Sequence, residues 1–107
     1  MSSWFYLVLA IVFEVAGTTA MKLSEGFTKT LPSVAMALFY IASLGVLTLA
    51  LKRIDVSVAY AIWAGVGTSL IAIIGIVYFK EELSVLKLIS IVFIIIGVVG
   101  LHLANKS

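Results

Sequence analysis

The chain has no cysteine and only one proline, Pro32. The first absence removes any disulfide framework and any thiolate metal site, and with them any reading of the redox compartment. The second leaves long stretches with nothing to break a helix. Charge is also scarce: Asp, Glu, Lys and Arg make up 11% of the 107 residues, less than half of the roughly 25% usual in soluble domains. The net charge is only +2, and no run of basic residues points to a nucleic-acid partner. There is no metal-ligand cluster, no nucleophile beside a base and no phosphate-cradling loop, so the sequence implies neither an enzyme nor a cofactor. The first apolar segment lacks a basic leader, and it is too long and followed by too many others to read as a cleaved signal peptide.

Apolar residues fill the space instead, at 64% of the chain against roughly 45–50% in soluble domains. They fall into four stretches, about 4–21, 32–51, 56–79 and 85–104. Each is long enough to cross a bilayer as a helix, and isolated strands would leave their backbone groups unsatisfied in lipid. The fold class predicted is therefore all-α and integral to a membrane, with residues 1–107 forming a single four-helix domain. The polar joints read as turns: Pro32 suits the first turn of the second helix, and Asp55 and Ser84 suit N-caps of the third and fourth. Short joints set neighbouring helices antiparallel. Four such helices are expected to fill their interior with side chains, so a cavity for a small organic ligand would need a second copy of the chain.

One acid stands out. Glu14 lies a little past the middle of Trp4–Met21, a stretch with no other charge. An ionised side chain at that depth costs roughly 2.5–3.5 kcal/mol on insertion scales, and such groups usually face a protein interior or a wet cavity. Helical spacing puts Ala10, Gly17 and Thr18 beside it, at i−4, i+3 and i+4. The small residues leave open space by the carboxylate or else serve close helix packing, and Thr18 offers a hydroxyl. On the third stretch Tyr60, Trp63 and Gly67 share a face. Tyr60 suits an interfacial anchor, whereas Trp63 is deeper and needs a partner for its N–H. Facing a carboxylate, both rings could hold a hydrophobic cation. Gly65 and Gly67 are a candidate hinge or a close helix contact. Tyr40 and Ser43 share a face of the second stretch. The fourth is almost wholly apolar, with Ser90, Gly97 and Gly100 as exceptions, and reads with Ile94 as a packing or dimerisation helix. Lys22, Glu25, Lys80, Glu81 and Glu82 are expected to be solvated at the membrane edges, and His102 to be interfacial.

Orientation is barely specified. The termini and the middle joint share one side and carry Lys52, Arg53 and Lys106; the first and third joints carry Lys22, Lys29, Lys80 and Lys87. A difference of one basic residue sets little preference. Both a weakly biased single topology and insertion in both orientations fit this count.

The run Glu14–Lys22, with Ser24–Lys29, Pro32-Ser33 and Ala59–Gly67, resembles the small multidrug resistance transporters from end to end. The resemblance implies an antiparallel, dual-topology homodimer in the bacterial inner membrane that exports hydrophobic cations in exchange for protons. It implies that Glu14 binds proton and substrate alternately, with Tyr60, Trp63, Tyr40, Ser43, Ala10, Gly17 and Thr18 around the site. Gly65 and Gly67 would be a bend that differs between subunits, and the fourth helix, with Ser90, Ile94, Gly97 and Gly100, the dimer contact. Ser90 departs from the glycine that many multidrug members carry there. Gly17-Thr18-Thr19 is similar to the branch that exports quaternary ammonium ions, whereas the guanidinium branch typically has a Trp after Glu-Val-Val in this region. A guanidinium exporter, one half of an obligate pair, a non-transporting structural subunit and an ion channel are the alternatives.

Overall fold

The computed structural model describes residues 2–104; Met1 and residues 105–107, including Lys106 of the charge count, lie outside it. Four helices follow one another: α1 (Ser3–Leu23), α2 (Thr30–Ala50), α3 (Val56–Val77) and α4 (Val85–Ala104), with no strand among the described residues. All four are long and apolar enough to cross a membrane. Their ends have local chemical causes. Ser2 caps α1 by accepting the Phe5 N–H at 3.2 Å, and Ser84 accepts the Lys87 N–H at 3.0 Å at the start of α4. Asp55 takes the N-cap position of α3, though its side chain makes no cap hydrogen bond there, and Pro32 occupies the first turn of α2, where its missing N–H costs nothing. Between α1 and α2 the chain turns through Glu25, Gly26 and Phe27, all with positive φ.

α1 packs against both α2 and α3, and α3 in turn carries α4. The buried core joins Leu7, Ala10 and Ile11 of α1 to Leu47 and Ala50 of α2, and to Ile54, Val58, Ala59 and Ile62 around the start of α3. Because neighbouring helices run antiparallel, these residues all lie at the end of the molecule where α2 turns into α3. No residue of α4 is fully buried. The Cα envelope measures 44 × 34 × 18 Å, a slab and not a square bundle.

The space left between the helices takes the form of grooves open to the outside. The apolar core closes one end only. Toward the other end the facing residues are small or polar (Thr18, Ala64, Gly67, Thr68), and these cannot bridge the gap between helix axes about 8–10 Å apart. Grooves open there, and the first contains Glu14.

Candidate functional site

Glu14 is partly buried on α1. Thr18, one helical turn on, donates from Oγ1 to Glu14 Oε2 at 2.8 Å. The same Oγ1 meets the Tyr40 hydroxyl of α2. A threonine hydroxyl has a single proton, and here it is directed at the carboxylate, so Tyr40 O–H donates to Thr18. The three groups form a chain, Tyr40 to Thr18 to Glu14, across α1 and α2.

The third wall comes from α3. The carboxylate lies over Gly67, where an added Cβ would overlap Oε1. With Glu14, Thr18 and Tyr40, the residues Trp63, Ala64, Thr68 and Ile71 line a groove of about 270 Å³. Trp63 is held by one serine. Its Nε1–H donates to Ser43 Oγ at 3.1 Å, and Ser43 donates to the Ala10 carbonyl at 2.7 Å. Ser43 is fully buried, so this single hydroxyl ties α1, α2 and α3 together beneath the groove. The arrangement offers one negative charge, two hydroxyls beside it and an indole side wall in otherwise apolar surroundings. Such a site can take a proton or a cation. Among the described residues, no three His, Asp or Glu side chains come together as metal ligands do.

Of the residues singled out by sequence, Glu14, Thr18, Tyr40 and Trp63 share this groove, and Ser43 lies behind it. Tyr60 does not line it: the ring stacks on Trp63 at 5.6 Å between centroids and is 60% exposed. Ala10 and Gly17 are not open space either. Ala10 is buried in the core, and a Cβ on Gly17 would come within 3.1 Å of Tyr40 Cδ2. The small residues instead let α2 approach α1. Gly67 contacts the carboxylate, and Gly65 faces α4, where a Cβ would stand 2.9 Å from Val98 Cγ2 and 3.3 Å from Ile94 Cγ2. Ile94 thus turns toward α3 of its own chain, while Gly97 and Gly100 have open space before them. Ser90 is exposed, and His102 stacks edge-on against Trp4 at 4.5 Å. Sequence reasoning passed over Ala64, Thr68 and Ile71 as wall residues. Their mutual spacing (i, i+4 and i+7 from Ala64) was a legible signal for one helix face, adjoining that of Trp63.

Four apolar helices beside one carboxylate in an indole-walled groove define a small multi-pass membrane protein with a single charged site. The chain belongs to the Small Multidrug Resistance protein family, whose model matches residues 2–94. It is 58% identical over 101 residues to an uncharacterized membrane protein, YvaE, of Bacillus subtilis (strain 168), covering 94% of this chain and 85% of that one. Quaternary ammonium compound-resistance protein QacE of Escherichia coli is 41% identical over 107 residues, covering 100% of this chain and 97% of that protein. A guanidinium exporter of Proteus vulgaris is 37% identical over 103 residues, covering 96% and 99%.

Proposed function

We propose that the protein exports lipophilic and quaternary ammonium cations in exchange for protons, acting as an antiparallel, dual-topology homodimer, with Glu14 as the group that proton and cation share. The observation that carries this reading is the carboxylate in an apolar groove with an indole wall, where, among the described residues, no basic side chain pairs with Glu14. A carboxylate so placed accepts either a proton or a soft, poorly hydrated cation, and not both at once. The groove is open on one side, and a second copy facing it would enclose a larger cavity holding two carboxylates. The face of α4 with Gly97 and Gly100 is free within the chain and suits contact with that copy.

The hydrogen-bond chain follows the charge state. While Glu14 is ionised it receives the Thr18 proton, and Tyr40 donates behind it. Once Glu14 is protonated it becomes a donor itself, Thr18 can accept from it, and the polarity of the chain reverses. In this way the occupancy of Glu14 is felt on α2, which exchange between two openings requires. Cation at the carboxylate expels the proton on one side of the membrane, and protons expel the cation on the other.

The test is proton release when tetraphenylphosphonium is added to weakly buffered, detergent-solubilised protein. Wild type should release protons, and its apparent Kd should rise as pH falls, because a protonated Glu14 offers the cation no charge. Glu14→Gln should release none and show a flat profile; equal release from both proteins would refute the assignment. The guanidinium exporter among the relatives supports a second reading, in which guanidinium elicits the release and tetraphenylphosphonium does not.

A further inference from the structure

Lys22 and Glu81 are exposed, as their places at the joints predict, and both line the mouth of a second groove. It opens between the C-terminal halves of α1 and α3 with a volume of about 380 Å³, and its walls include Ile71, Ala72, Ile74 and Phe79. Thr18 and Ile71 belong to both grooves, which places this one directly beyond the Glu14 groove along the same cleft. Eight residues separate Glu14 from Lys22, about 12 Å along α1.

The mouth is built, not merely lined. Lys80 takes φ = 61°, a left-handed conformation uncommon for a residue with a side chain, and this reverses the chain after α3. Glu81 N–H then donates back to the Gly75 carbonyl at 2.9 Å. Its carboxylate lies on Gly75, where a Cβ would overlap Oε1. Glycine at 75 and the reversed turn together bring a negative charge onto the wall of an apolar groove. Across it, Lys22 Nζ stands 6.0 Å from the centre of the Phe79 ring, so the aromatic face already holds a cation. Among the described residues, no ion pair joins Lys22 to Glu81.

We infer that this mouth is an outer binding station for lipophilic cations, with Glu81 supplying the charge and Phe79 the aromatic face that Lys22 occupies until a cation displaces it. This rests on the export reading and adds a second carboxylate to it. The displacement gives selectivity: a cation with large apolar surface gains from burial against Ile71, Ala72 and Ile74 what Lys22 loses, whereas a small cation with little apolar surface, such as guanidinium, gains little.

Calorimetric titration of the full-length solubilised protein with tetraphenylphosphonium tests the station apart from the inner site. Glu14→Gln should retain weak binding, and adding Glu81→Gln should weaken that remainder about five-fold. Gly75→Ala in the Glu14→Gln background should weaken it too, with no change in charge, because the methyl group displaces the carboxylate. Lys22→Gln in that background should tighten it, an outcome that a purely structural Lys22 would not produce. Absence of binding by Glu14→Gln, or binding insensitive to Glu81→Gln, would overturn the station while leaving Glu14 untouched. Equal binding by wild type and Glu14→Gln would instead refute the inner site, and the Glu81 comparison would still be readable.

Discussion

Ser43 shows how much one hydroxyl can organise. It accepts from Trp63 on α3 and donates to the Ala10 carbonyl on α1, with none of its surface exposed. Ser43→Ala would leave the indole N–H without a partner, and such a buried loss costs about 1–3 kcal/mol. Thermal unfolding of the variant should fall accordingly, and its tryptophan emission should shift as Trp63 is released. An unchanged melting temperature and spectrum would remove Ser43 from this role. Gly67 makes the opposite case. Alanine is the better helix former by roughly 0.8–1 kcal/mol, yet its methyl group would overlap the Glu14 carboxylate. Gly67→Ala should therefore keep or raise thermal stability while losing tetraphenylphosphonium binding about ten-fold or more, one such factor being ~1.4 kcal/mol. Binding at the wild-type level would show that the carboxylate does not need that space.

Among the elements, α4 is the one whose surroundings the chain does not complete. Its Ile94 and Val98 close on Gly65 of α3, but Gly97 and Gly100 meet nothing within 4 Å. Two valine substitutions should separate these faces. Gly65→Val forces side chains into the α3–α4 contact and should destabilise the chain by about 1–3 kcal/mol. Gly97→Val should leave helical content intact by circular dichroism and, under the proposed dimer, abolish cross-linking between copies. Cross-linking that persists in Gly97→Val would place the dimer contact elsewhere. α3 has two tasks along one length: Ile62 packs into the core, whereas Trp63, Ala64, Thr68 and Ile71 wall the groove.

For the whole molecule, the near-even distribution of lysine and arginine is the feature with the largest consequence. If both orientations are inserted, biasing the charge should abolish activity alone and restore it in combination. Lys52→Ser with Arg53→Ser leaves four basic residues on the first and third joints against one on the other side. This variant should insert one way and confer no cation resistance by itself. Co-expression with Lys29→Ser, Lys80→Ser, Lys87→Ser, which leaves one basic residue on those joints against three on the other side, should restore resistance. Full resistance from either variant alone would rule out dual topology.

The four helices were legible because hydrophobic runs of this length admit no other backbone arrangement in lipid: every N–H and C=O must be satisfied within the segment. Glu14 was legible for the same reason, as a charge that has no solvent at its depth. Thr18 beside it followed from the helical repeat. What helical repeat and hydropathy could not decide is which neighbour each face meets. Ala10 and Gly17 bear the same relation to Glu14 as Thr18 does, yet they are taken up by α2, because small residues on one helix permit both an open space and a close approach. Likewise Glu81 is exposed, as a joint carboxylate is expected to be, but only the reversal at Lys80 sets it against Gly75. Local chemistry determined the segments and their one costly charge. Tertiary packing alone decided where the gaps between them lie, since a gap is a property of several helices at once.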